Sequence, residues 1–339
     1  MTGRHDAPIA ARAGSPRTAH AGTRTPAWNL KREMVGELIL GRFRIERAIG
    51  SGGFGTVYRA RDERLQRPVA VKVIDGSEAA PRVMREAQAV ARLAHRNIAT
   101  LYELAGDGQR AFLVSELIEG ETLRALGRRG ELNDRLVGEV GADSAAALAH
   151  AHRSGVVHRD VKPENMLVAR GGEAKLVDFG IARVAGERTL TGTGDVLGTV
   201  AYMAPEQAEG LRPGPAADVY SLALTLYECF CGEHPLIRAN AAATARAIGE
   251  EIAPLAEVRP DLPAQLTDAI DSSLDLDPEL RPLASELGGM LDAHSRELDS
   301  APLPAVLRPA ETGTDGPVRL PRPRDVARLA SALSVGALT

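Results

Sequence analysis

The chain has 339 residues, with 41 Lys+Arg against 45 Asp+Glu for a formal net charge of −4, 44% hydrophobic residues and 25% charged ones. That length suffices for one large two-lobed unit or two domains with a sizeable core, and the balance excludes a wholly disordered chain, a disulfide scaffold and a strongly basic nucleic-acid binder. No stretch approaches the roughly 18 uninterrupted apolar residues of a membrane helix and no secretory apolar run opens the chain, so the expectation is no transmembrane segment and a cytoplasmic location.

Residues 1 to about 36 are rich in Ala, Thr, Arg, Gly and Pro without periodicity. Up to Arg32 they carry six basic residues against the single acid Asp6. This reads as a flexible basic arm, placed at residues 1–40, although an Arg-rich, acid-poor start also resembles a transit peptide. From Phe43 the alternation of Phe43, Ile45 and Ile49 with Arg42, Arg44 and Glu46 predicts a half-buried strand. Strand-like runs follow at 56–61 and 68–74, a helix opens at Pro81, and further strands fall at 98–103 and 110–115. After Gly120 the texture turns helical, with Ala/Leu-rich stretches at 134–153, 216–231, 264–274 and 283–297. Strands first and helices later predict an α+β fold over residues 41–297, in a small β-rich lobe (41–118) and a larger helical lobe (119–297). Residues 298–339 read as a Pro-rich linker ending in a short amphipathic segment around Val326, Leu329 and Leu333.

Two residue types carry early signals. Cys229 and Cys231 would point about 200° apart on a helix, so they read as small core side chains rather than a bridge. The chain has only four lysines, Lys31, Lys72, Lys162 and Lys175. In so Arg-rich a sequence each marks a place where a compact point charge is not replaced by a planar fork.

The segment Gly50-Ser51-Gly52-Gly53-Phe54-Gly55 places glycines where a backbone approaches phosphates closely. A dinucleotide-binding turn is the rival reading, with Asp75 at about the right distance, but it needs a helix where Thr56-Val57-Tyr58 continues as a strand. In Val69-Ala70-Val71-Lys72-Val73 alternation puts the valines on one face and Ala70 with Lys72 on the other. Glu86 falls within the apolar stripe of the helix from Pro81, where a carboxylate needs a partner, and Lys72 is the natural one. Further on come His158-Arg159-Asp160-Val161-Lys162-Pro163-Glu164-Asn165, Asp178-Phe179-Gly180 and Ala204-Pro205-Glu206.

These motifs, in this order from about Gly41 to Arg281, resemble the eukaryotic-like (bacterial) Ser/Thr protein kinases. The resemblance implies a two-lobed kinase fold that transfers the γ-phosphoryl of ATP to protein Ser/Thr hydroxyls with Mg²⁺, or Mn²⁺ in its place. It implies Asp160 as acceptor of the hydroxyl proton, Asn165 and Asp178 as metal ligands, Lys72 on the α/β-phosphates and Lys162 on the γ-phosphate. Ile49 and Val57 would roof the adenine, with Ala70 leaving room for the ring, and Leu167 would form its floor. The Glu116 carbonyl and Ile118 N–H would be the hinge contacts. Asp218 would open a buried central helix, and Arg281 would pair with Glu206.

By the same resemblance Thr191 and Thr193 are autophosphorylation sites whose phosphate would pair with Arg159, with self-association allowing modification in trans. Gly138 and Gly141 depart from a good helix, each at a cost of about 1 kcal/mol relative to Ala. Ser115 is smaller than the usual residue at its position. The alternatives are a pseudokinase-type scaffold, against which Lys72, Asp160 and Asp178 all stand, and a small-molecule phosphotransferase.

Overall fold

The computed structural model describes residues 34–52, 55–75, 87–179, 200–301 and 303. Its first part is a six-stranded sheet of β1 (Leu38–Ile39), β2 (Phe43–Gly52), β3 (Gly55–Asp62), β4 (Arg67–Asp75), β5 (Leu101–Gly106) and β6 (Arg110–Glu116), in the order β1-β2-β3-β4-β6-β5. All its pairings are antiparallel. Val69, Val71 and Val73 of β4 are buried with Phe43, Ile45, Tyr58, Phe112 and Val114, so the two-residue alternation read from the sequence is the one that packs. Ala70 and Lys72 stand on the opposite face.

The arm expected to reach residue 40 stops sooner. Met34 and Ile39 are buried against the same core, and β1 adds an edge strand through Leu38↔Arg44 and Ile39↔Phe43. A two-residue strand has no period to read, which is why composition alone assigned it to the arm.

A short three-stranded sheet, β7 (Gly120–Thr122), β8 (Met166–Ala169) and β9 (Ala174–Leu176), runs in that spatial order. The helices are α1 (Leu123–Arg129), α2 (Asp134–Arg153), α3 (Pro205–Ala208), α4 (Pro215–Cys231), α5 (Ala241–Ala247), α6 (Leu255–Val258), α7 (Ala264–Ser273) and α8 (Ala284–Ser295). Thr122 and Asn133 cap α1 and α2, accepting from Ala125 N at 3.1 Å and Leu136 N at 2.8 Å. Gly232 closes α4 in the left-handed conformation at φ 80°.

Helix α4 is buried on every side, as its apolar-all-round sequence predicts. Its hydroxyls turn inward onto the backbone, Ser221 Oγ donating to Ala217 O at 3.0 Å and Thr225 Oγ1 to Ser221 O at 2.8 Å. Cys229 is buried and free, and burial raises its thiol pKa well above the usual range, in keeping with a core side chain.

The two glycines of α2 are contact points. A Cβ at Gly138 would lie 2.8 Å from Leu298 Cδ1, and one at Gly141 2.9 Å from Leu226 Cδ1 and 3.1 Å from Leu291 Cδ1. Their propensity cost is therefore offset by close packing of α2 against α4, α8 and the segment after α8. That segment continues past the expected end at 297, with Leu298 buried and Leu303 N donating to Leu132 O at 2.7 Å.

Candidate active site

The turn His158–Asn165 lies between α2 and β8 and is held from below. Asp218, fully buried in the first turn of α4, accepts His158 N on Oδ2 and Arg159 N on Oδ1, both at 2.7 Å, and His152 Nε2 lies 2.8 Å from Oδ2. This grip keeps Arg159 at φ 68°, a left-handed conformation that costs a side-chain-bearing residue about 1–2 kcal/mol. His158 is buried and faces Phe179, ring centroids 4.5 Å apart. Its Nδ1 accepts from Asp160 N at 3.3 Å, which assigns the proton to Nε2 for donation to Val177 O at 3.0 Å. Burial lowers its pKa, consistent with a neutral ring.

Asp160 then projects with both oxygens engaged. Lys162 Nζ reaches Oδ1 at 3.0 Å and Oδ2 at 2.9 Å, and Asn165 Nδ2 donates to Asp160 O at 2.7 Å and Oδ2 at 3.0 Å. The Asn165 amide nitrogen is thus committed to Asp160, which turns its amide oxygen away. Val177 N donates to Asn165 O at 3.0 Å, linking this turn to the residue before Asp178. Asp178, like Arg159, is left-handed, at φ 58°, and its Oδ2 lies 2.8 Å from Lys72 Nζ. Desolvation opposes its ionisation, but the ammonium groups of Lys72 and Lys162 outweigh this and lower its pKa.

On the sheet side Lys72 pairs with Val57 on one neighbouring strand and Leu113 on the other, while Ala70 sits opposite Ser115. Gly50 is open: a Cβ there would meet no protein atom within 4 Å. Gly55 is different, because at φ 130° its Cβ would come 2.1 Å from Val73 O, so its glycine serves the sheet. Leu167 in β8 lies between Thr122 and Lys175 in register. Ile49, Ser51, Gly52, Glu116 and Ile118 fall within the described residues; Gly53, Phe54, Glu86, Gly180, Thr191 and Thr193 lie outside them.

A second polar cluster was not anticipated. Arg124 of α1 donates from Nε to Glu164 Oε1 at 2.9 Å and from Nη1 to Glu228 Oε1 at 2.7 Å, and contacts Tyr202 OH, which itself donates to Glu228. It joins α1, the Asp160 turn and α4. The available signal was Glu228, a carboxylate inside an otherwise apolar helix, which must have a partner. Arg281, whose side chain is 0% exposed, donates to both oxygens of Glu206 at 2.8 and 3.0 Å, the pair expected from the sequence.

Residues 43–289 match the protein kinase domain family. The chain belongs to that family. Serine/threonine-protein kinase PknL of Mycobacterium tuberculosis is 44% identical to this kinase domain over 221 residues, 63% of this chain and 54% of that protein, and PknL of Mycobacterium bovis gives the same figures. Serine/threonine-protein kinase PknA of Mycobacterium tuberculosis is 40% identical over 259 residues, 73% of this chain and 59% of that protein. The chain thus spans about half the length of the curated relatives it matches. The α+β, two-lobed expectation stands with the family, and kinase domains in general use ATP with a divalent metal. Among the described residues no helix is long and apolar enough to cross a membrane.

Proposed function

We propose that this chain is an ATP-dependent protein Ser/Thr kinase, transferring the γ-phosphoryl of ATP to Ser and Thr hydroxyls of protein substrates. The observation that carries the reading is the joining of Asp160, Lys162 and Asn165 to the Lys72–Asp178 pair through Val177. In the proposed reaction a bond forms from the substrate oxygen to the γ-phosphorus, the bond to the ADP oxygen breaks, and Asp160 accepts the hydroxyl proton. Lys72 would contact the α/β-phosphates, and Lys162, beside Asp160, the transferring group.

The donor set suits Mg²⁺. The freed amide oxygen of Asn165 and the carboxylate of Asp178 are hard oxygen ligands, and no cluster of three or more His, Cys, Asp or Glu that could hold a metal is present among the described residues. An ion that keeps most of its waters and takes the rest of its shell from phosphate fits such a sparse site. When bound, it would neutralise charge on the phosphoryl oxygens.

Autophosphorylation of Thr191 and Thr193, with phosphate pairing to Arg159 and modification in trans between two copies, belongs to the same proposal, as does action in the cytoplasm, where ATP is available. The proposed extent is residues 41–297 for the kinase domain, widened to 34–303 by the packing of Met34 and Leu303.

The test is incubation with γ-labelled ATP, Mg²⁺ and a generic basic protein. Label recovered as phosphoserine and phosphothreonine is the expected result, and none in substrate or in the chain itself would overturn the proposal. Mass spectrometry of the active protein should find phosphate on Thr191 or Thr193.

A further inference from the structure

Of the four lysines, Lys175 is the one among the described residues that the proposed reaction leaves without a task. It occupies the middle of β9 between Ala174 and Leu176, both buried, so alternation turns it to the other face. There it stands directly across from Leu167, the proposed adenine floor. Its Nζ lies 2.9 Å from Glu116 Oε1 and 3.2 Å from Oε2, with only 13% of the lysine side chain and 25% of the glutamate exposed. Glu116 is the last residue of β6, at the connection between the lobes.

The carboxylate has a further donor. Thr100 N donates to Glu116 Oε2 at 3.2 Å, while Glu116 N donates to Thr100 O at 2.9 Å. The segment leading to Thr100 is itself bound to β9, through Leu176 N to Asn97 O at 2.9 Å and Ala99 N to Leu176 O at 3.0 Å. A closed ring therefore runs from Lys175 through Glu116, Thr100 and Ala99 to Leu176 and back. Its backbone half fixes β9 to residues 97–99. Its side-chain half, the ion pair, is the direct tie from β9 to the interlobe connection.

We propose that Lys175 is a positioning residue of the nucleotide site, whose ion pair with Glu116 holds the Glu116 backbone and the Leu167 floor at a fixed separation for the base. The inference rests on the kinase reading for the identity of the nucleotide. A largely covered pair with both carboxylate oxygens engaged retains much of its attraction, unlike a fully solvated one. Because neither side chain is assigned to the phosphates, the effect belongs on nucleotide affinity and not on the transfer step.

The experiment compares full-length wild type, Lys175→Met, Glu116→Gln and the double variant. It measures ADP affinity by calorimetry, and KM for ATP and kcat with a basic protein substrate, with melting temperature as a fold control. Each single variant should weaken ADP and raise KM about five- to tenfold with kcat within twofold, and the double should be no worse than either single. Lys175→Arg, which keeps the charge, should recover at least half of the lost affinity on a logarithmic scale.

Wild-type ADP affinity in Lys175→Met, additive losses in the double variant, or a fall in kcat with KM unchanged would each overturn the proposal. Should Lys175→Met fail to fold, Glu116→Gln, isosteric and still a hydrogen-bond acceptor, decides by the same affinity measurement. A wild type that binds ADP but transfers no phosphate would overturn the kinase reading instead, and the ADP comparison would still decide the role of Lys175.

Discussion

The two sides of the site are supported in different ways. On the helical side, Asp160 stands on a turn whose backbone N–H groups are held by a fully buried carboxylate, Asp218, while Glu164 four residues on is tied through Arg124 to Glu228. On the sheet side, Lys72 is placed by strand alternation, and among the described residues it pairs with Asp178, 37% exposed. A support made of a buried carboxylate that accepts from backbone N–H groups is part of the fold, so damaging it costs stability as well as activity. A support made of strand geometry and a part-solvated pair is separable from the fold, so damaging it costs activity alone.

The largest expected effect is Asp160→Asn, a change of the group and not of its support. It should lower kcat by about 10³-fold, within the range for loss of a general base, while ATP affinity and melting temperature stay near wild type. Near wild-type transfer in a label-incorporation assay would remove Asp160 from the mechanism. Next is Lys72→Met, expected to cost about 10²-fold in kcat/KM with little change in melting temperature. A large drop in melting temperature would erase the contrast between the two sides.

Asp218→Asn sharpens the comparison from below. The amide keeps one acceptor oxygen, so one buried N–H is left unsatisfied at a cost of about 1–3 kcal/mol, and activity should fall together with the urea midpoint. A smaller test uses the glycines. Gly141→Ala should destabilise by about 1 kcal/mol because its Cβ meets Leu226 and Leu291, whereas Gly289→Ala, with no atom within 4 Å, should stabilise by about 0.5–1 kcal/mol.

The last test, read as the pH dependence of a difference, concerns Asp62, the buried acid of the β3–β4 turn. Its hydrogen bonds from Arg42, helped against desolvation by those from Leu65 N and Arg64 N, hold its pKa down at about 2. A depressed folded pKa contributes stability that is complete above the unfolded value of about 4 and is lost as pH falls toward 2. The gap in urea midpoint between wild type and Asp62→Asn should therefore stay constant from pH 7 to about pH 5 and shrink below about pH 4. A constant gap down to pH 3 would show that Asp62 titrates normally.

The parts of this molecule that were legible in the sequence were those with a local period or a local motif. The valine alternation of β4 and the apolar surround of α4 both packed as read, and the Asp160 turn was visible because its residues are contiguous. Contacts that span long stretches of chain were legible only where the family resemblance supplied them, as for Arg281 and Glu206: Arg124 meets Glu228 across 104 residues, and neither position advertises the other. Gly138 and Gly141 were read as weak points because propensity is a property of one helix, whereas the close approach that requires them belongs to three. The Lys175–Glu116 pair lay between these extremes. The scarcity of lysine marked one partner, but only the segment 97–100, bound both to β9 and to Glu116, brought it to the other.

The grip of Asp218 on the amides of His158 and Arg159 has a kinetic meaning. An amide proton donated to a carboxylate at the core of the helical lobe exchanges with solvent only when that lobe opens. Those two amides should therefore exchange as slowly as the interior of α4, although they belong to a loop that carries the proposed chemistry. The turn that presents Asp160 then has no melting transition of its own: on warming or in denaturant, the active geometry disappears with the lobe and not before it.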